Sequence, residues 1–176
     1  MQYLRKWNIA GAIFTLILGT LLHFVYEWFG GGVWSVFGAA NESTWEHLKL
    51  IFWPMVIFGI IEYIIYGRKT EGFLWVKVLS ILLGMATIVV LFYTYTGILG
   101  YHIAFVDIAT FVIGVILAYR FAYVRLSRQE KYPTSSWRDI LAFVLLLILV
   151  VCFICFTFQP PHIALFLDPI TQTYGI

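Results

Sequence analysis

The chain has 176 residues, 62% of them hydrophobic and 11% charged, with a mean hydropathy of +0.92. So few charges cannot cover a water-soluble domain of this size, which leaves lipid as the outer solvent. The net charge of +2 includes no basic run suited to nucleic acid, and two cysteines three residues apart in an apolar run (Cys152, Cys155) imply no disulfide framework.

The first apolar run, Trp7 to Phe29, exceeds the roughly 7–15 residues of a signal-peptide core, so it reads as a retained helix. Gly11, Thr15, Gly19, His23 and Glu27 recur along it at four-residue steps and share one face. Small residues at that spacing let membrane helices approach closely, so this face points into a bundle and carries His23 and Glu27 with it. Such a pair can share a metal, hydrogen-bond or relay a proton; it can equally be a satisfied polar contact near the interface. Residues 30–43 form an outer loop that opens with Gly30-Gly31-Gly32 and holds Trp34, Val36 and Phe37. Those apolar residues place the loop in the interface or against the bundle.

The second run, about 44–66, opens on Asn41-Glu42-Ser43-Thr44-Trp45-Glu46-His47. Ser43 and Glu46 match the S-x-x-E capping box, which explains both without a ligand role for Glu46 and leaves that role as the alternative. His47 has no capping duty. The positive end of the helix dipole disfavours its protonation, so a neutral imidazole is available there as ligand or base. Lys49 can neutralise surplus carboxylate or snorkel outward. Pro54 predicts a kink or a freed carbonyl, and Glu62 is placed to pair with Lys77 or Arg68.

In the third run, about 73–95, Ser80 and Gly84 suit close helix packing. The fourth, roughly 101–123, has His102 at its mouth and Asp107 about a turn and a half deeper. Five residues apart, these two join one site only if His102 precedes the regular helix. Thr110 and Gly114 continue a small, polar face that turns Asp107 inward, where it needs a metal, a His, Lys49 or a proton. The fifth run, about 137–158, leads to an outer tail, 159–176. The tail is apolar and proline-bearing, and it is expected to pack over the bundle's mouth. Pro160-Pro161 would present His162 rigidly; the alternative is a histidine exposed to water. Cys152 and Cys155, buried in an apolar run, read as inert.

Runs this long in lipid must be helices, because unpaired backbone groups there are too costly. The expected fold is all-α: a single transmembrane domain over residues 1–176, an integral membrane bundle of five helices. Trp7, Trp28, Trp45, Trp75 and Trp137 fall at run ends, where such rings favour the head-group region. Of the eleven basic residues, Lys49 alone lies on one side; Arg5, Lys6, Arg68, Lys69, Lys77, Arg120, Arg125, Arg128, Lys131 and Arg138 share the other. That side is expected to be cytoplasmic, with the N-terminus inside and the C-terminus outside, in a multi-pass protein of the cytoplasmic (inner) membrane. All four histidines, with Glu27, Glu42, Glu46, Asp107 and Asp168, then gather at the outer end. Ionisable groups beside hydrocarbon are costly, and a convergent set marks a functional site.

The expected site is a divalent metal, with zinc the first choice, held by His23, Glu27, His47 and Asp107. Glu46 or His162 would serve as base or further ligand, and Asn41, Glu42, Lys49 and His102 would complete the polar pocket. Such a site suits a metal-dependent hydrolase of a lipid or amphiphile at the outer leaflet. The spacing matches no strong motif such as H-E-x-x-H, so a metal-free network of hydrogen bonds and ion pairs stays open. So do a small solute, proton or lipid carrier using Glu27, Glu62 and Asp107, and a non-enzymatic scaffold stapled by a polar cap. The bilayer is the expected partner, nucleic acid is not, and a homo-oligomer is compatible with the chain.

Two stretches, Asn-Glu-Ser-Thr-Trp-Glu-His-Leu-Lys-Leu at 41–50 and Pro-Pro-His-Ile-Ala-Leu-Phe-Leu-Asp-Pro running to Tyr-Gly-Ile within 160–176, carry a resemblance. They resemble a family of small bacterial multi-pass membrane proteins known as a domain of unknown function. The likeness covers most of the chain, including its length and number of spans. It implies that Glu42, Glu46, His47 and His162 lie in the family's signature stretches, and it implies no activity. The donor types are similar to those of ceramidase-like membrane hydrolases, but those have seven spans and differently spaced ligands, so the analogy is one of chemistry alone.

Overall fold

The computed structural model describes residues 2–128 and 136–176, and among these it is all-α. Five long apolar helices are able to cross a membrane. They are α1 (Gln2–Phe29), α3 (Thr44–Ile65), α4 (Phe73–Leu99), α5 (Ala104–Ser127) and α6 (Ser136–Phe158). The chain is a multi-pass membrane protein, as its composition requires. The loop between α1 and α3 adds a sixth, short helix, α2 (Gly31–Phe37). Gly30 and Gly31, with φ of 61° and 78°, turn the chain between α1 and α2 in a backbone region that L side chains rarely adopt. Lys131 of the basic set lies outside the described residues.

Four helices close a ring in which α1 packs on α3, α3 on α4, α4 on α5 and α5 on α1. Helix α6 lies outside that ring, against α4 and α3. The small-residue stripe of α1 does face inward: Gly11, Thr15 and Gly19 are buried. A Cβ on Gly19 would stand 2.4 Å from the carbonyl oxygen of Leu50. That carbonyl is the one Pro54 deprives of its helical N–H, since proline has none to give to the residue four before it. Helix α3 continues through Pro54, and the bare backbone of Gly19 covers the freed oxygen. Ser80 and Gly84, expected for close packing, are buried on α4, and Thr110 and Gly114 are buried on α5; a Cβ on Gly114 would stand 3.0 Å from Gly84 O, so the two helices meet at these glycines.

Loop and tail fold onto one end of the ring. Trp53 Nε1 donates to Val36 O at 2.9 Å, tying α2 to α3. In the tail, Phe166 is buried against Trp45 and Phe156. The opposite end carries Arg68, Lys69, Arg125 and Arg138, next to the ends of α3, α4, α5 and α6.

Candidate functional site

At the loop-and-tail end, the N-terminus of α3 builds the first cluster. Ser43 caps the helix, its Oγ accepting from Glu46 N at 3.4 Å. Only this half of the capping box forms. Asn41 Oδ1 takes the Ser43 N–H at 2.9 Å, and Glu46 turns instead toward the Lys49 ammonium, a stronger partner than a backbone amide. The cap fixes the first turn, so His47 Nδ1 lies 2.9 Å from Ser43 O. A carbonyl can only accept, so Nδ1 carries the ring proton and Nε2 presents a lone pair. That Nε2 is 3.2 Å from His23 Nε2 and 3.4 Å from Glu42 Oε2. Among the described residues, His23, Glu42 and His47 are the group whose ligand atoms all lie within 4.8 Å of one another.

The expected quartet is therefore not assembled as one set. His23 and His47 meet across the α1–α3 seam. Glu27 is exposed one turn further along α1, outside the group. Asp107 sits at the α4–α5 seam, on the other side of the ring. There it accepts from Tyr95 and lies 3.1 Å from His102 Nδ1. His102 indeed precedes the helix, which starts at Ala104, and that extended lead-in lets two residues five apart meet. Glu42, expected only to line the pocket, fills the third place beside the two imidazoles.

Glu46 and Lys49 form a separate buried clasp. Lys49 Nζ donates to Ser35 O at 2.7 Å, Glu46 Oε2 at 2.6 Å and Thr157 Oγ1 at 2.5 Å. Its three protons are thereby used, and both side chains are almost fully buried. Glu46 also accepts from Ala40 N at 2.9 Å, so the clasp joins α3, the loop and α6. Sequence reasoning missed Ser35, Tyr95 and Thr157. Thr157 alone left a signal, as a hydroxyl closing the most apolar span.

The tail positions Glu42 from the other side. Asn41 Nδ2 donates to Gly175 O at 3.0 Å. Asp168 Oδ1 accepts from Ile170 N at 2.8 Å and Thr171 N at 3.3 Å, and the Glu42 backbone N–H lies near enough to favour its charged form. Burial alone would raise the Asp168 pKa, but these amides and the Thr171 hydroxyl together hold it below the usual carboxylate value. Beside Glu42 an open cavity of about 400 Å³ is lined by Tyr26, Asn41, Asp168, Ile170 and Thr171, among others. His162 is exposed and stacked on Tyr174, with ring centroids 4.4 Å apart; it is not part of the His23 group.

A second buried pair lies toward the basic end. Glu62 pairs with Lys77, the partner expected for it, and accepts from Tyr66 Oη at 2.5 Å. Burial first, and the Glu62 carboxylate second, push the Tyr66 phenol well above its ordinary range, so it stays a donor.

The chain belongs to a family of unknown function, DUF6512, whose model matches residues 1–176. Comparison with curated proteins and with solved structures gave no match.

Proposed function

We propose that the protein sits in the cytoplasmic membrane, N-terminus inside and C-terminus outside, and holds a divalent metal, zinc first, between His23, Glu42 and His47. One observation carries this reading. Zinc bonded at about 2.0–2.1 Å in a tetrahedron sets neighbouring donors roughly 3.3 Å apart. His47 Nε2 stands 3.2 Å from one donor and 3.4 Å from the other. Its Nδ1–H is held by the Ser43 carbonyl, the backing that metal-bound imidazoles use to fix their tautomer.

Three protein ligands leave one tetrahedral position open, the arrangement of catalytic rather than structural zinc. A divalent cation there would bring a bound water toward deprotonation near neutral pH. Glu42 borders the 400 Å³ cavity, which suits the head group of a lipid or other amphiphile at the outer leaflet, and hydrolysis of such a substrate is the chemistry this supports. Glu46 is not the base in this scheme, because Lys49, Thr157 and the Ala40 amide occupy its oxygens. Glu27, exposed one turn beyond His23, is the carboxylate left to take a proton.

Elemental analysis of purified protein tests the reading. One equivalent of metal is expected, lost in His23→Ala and His47→Ala, weakened about tenfold or more in Glu42→Gln, and kept in Asp107→Asn. Absence of stoichiometric metal, or unchanged retention in both histidine variants, would overturn it.

A further inference from the structure

Helix α2 does not sit above the bundle. Its first turn lies by the end of α6, where a Cβ on Gly32 would meet the Phe158 ring at 3.7 Å. Its last turn lies lower. Gly38, which ends the helix, packs so closely on α1 that a Cβ there would stand 2.7 Å from Leu22 O. Leu22 is seven residues short of the end of α1, about 10 Å down that helix. Phe37 packs on Trp53, ring centroids 4.9 Å apart, and Trp53 is nine residues into α3, about 14 Å along it. We infer that α2 is a re-entrant helix, sunk into the leaflet at the loop-and-tail end with its outward face against lipid.

That face is continuous with a surface that already meets lipid. Ile13, Ile17, Leu21, Phe24 and Trp28 recur along α1 at three- and four-residue steps and are exposed, opposite the buried small-residue stripe. Val33, Trp34 and Phe37 of α2 are exposed too, Val33 at 68%. Ring contacts carry the surface from one helix to the other: Phe24 stacks on Trp28 at 5.8 Å, and Phe29 meets Trp34 at 5.1 Å. The backbone of α2 fits the same surroundings. The last carbonyls of a helix have no partner within it, and on a wet surface water can serve them. Here Trp34 O accepts from Gly38 N at 2.9 Å, Ser35 O from the Lys49 ammonium at 2.7 Å and Val36 O from the Trp53 indole at 2.9 Å. A chain that turns back at membrane depth needs partners of this kind from the protein. An end bathed in water has no call for a buried ammonium, whose desolvation is costly. Because Gly38 seats on Leu22, the neighbouring His23 lies at the depth to which α2 descends, whether or not a metal binds there.

The test places single nitroxide labels on the full-length protein in phosphatidylcholine nanodiscs, with Cys152 and Cys155 replaced by alanine. Labels at Val33→Cys, Ile17→Cys and Gln172→Cys are compared by power saturation with oxygen, which concentrates in lipid, and with chromium oxalate, which stays in water. The Val33 label is expected to match the Ile17 label, with an oxygen-to-chromium accessibility ratio several-fold above that of the Gln172 label. A Val33 label that behaves like the one at Gln172 overturns the inference, because α2 would then lie in water. So does a Val33 label shielded from both reagents, because a second copy of the chain or the bundle itself would then cover the face. A second measurement needs no variant: wild-type protein is irradiated in bilayers whose phosphatidylcholine carries a diazirine in its acyl chain. Adducts are expected within residues 31–37 as well as on α1, and labelling of α1 without α2 overturns the inference.

Discussion

Lys49→Met deletes the ammonium that holds α3, the α1–α3 loop and α6 together. The Glu46 carboxylate, 2% exposed, then loses its counter-charge while the Ala40 amide and the Thr157 hydroxyl still donate to it. Breaking a buried ion pair from one side costs about 3–5 kcal/mol. The two surviving donors place this case near the lower limit, at about 3 kcal/mol. Ser35 O also loses its donor, which adds about 1 kcal/mol. Removing both charges in Lys49→Met with Glu46→Leu leaves no naked carboxylate. The double variant is therefore expected to lie about 2 kcal/mol or more above the sum of the two singles in stability. Reversible unfolding in mixed micelles of rising dodecyl sulfate content, followed by far-ultraviolet circular dichroism, measures each variant. A Lys49→Met protein within about 0.5 kcal/mol of wild type, or strict additivity in the double variant, would refute the clasp as a stabilising element.

Gly19→Ala places a Cβ 2.4 Å from Leu50 O, forcing α1 from α3 and costing about 1–3 kcal/mol in the same assay. Gly59→Ala meets nothing within 4 Å and should stabilise by about 0.5–1 kcal/mol; equal effects at the two sites would show that the stripe does not set the helix spacing. Asp168 titrates below its unfolded value when the tail is docked. Its contribution is therefore complete above that value, about 3.9, and fades as pH falls through the lower docked one. Protection of residues 167–176 from hydrogen exchange, taken relative to the intrinsic amide rate at each pH, should fall below about pH 4 in the wild type and be low at every pH in Asp168→Asn. A pH-independent wild-type tail would contradict this. Glu62→Gln should destabilise more than Glu62→Leu combined with Lys77→Met, because only the first leaves a buried ammonium without its carboxylate.

Spans and inward faces were legible in the sequence because lipid imposes them. Apolar length fixed α1, α3, α4, α5 and α6 to within a few residues, and the Gly11–Thr15–Gly19 stripe announced its buried face. Pairings within a few residues were legible too, such as the Ser43 cap and the condition that let His102 reach Asp107. What the sequence did not carry was the order of helices around the ring. His23, His47 and Asp107 all occupy inward positions at one end, so periodicity treats them alike. Only the ring, with α1 beside α3 at one seam and α4 beside α5 at another, separates Asp107 from the imidazoles. Glu42 was undervalued for a related reason: its place depends on Asn41 and Asp168 clamping the loop to a tail more than a hundred residues away.

The distribution of charge also argues against a conducting role. Glu46 and Glu62 are sixteen residues apart on α3, about 24 Å of helix. Between them α3 buries Phe52, Met55 and Phe58, and the polar pair nearest mid-bundle is Thr15 with Tyr119, 2.9 Å apart. Lys77 Nζ lies 5.1 Å from the centroid of the Tyr119 ring, so this pair belongs to the Glu62 cluster and does not bridge to Lys49. A proton relay needs groups within hydrogen-bond reach of one another, directly or through water, and packed aromatic and thioether side chains supply neither. Proteoliposomes carrying a pH gradient should therefore show no leak attributable to the protein. A leak that Glu62→Gln abolishes would mean that the middle of the bundle hydrates, and that the two buried pairs are stations on one path instead of separate fastenings at its ends.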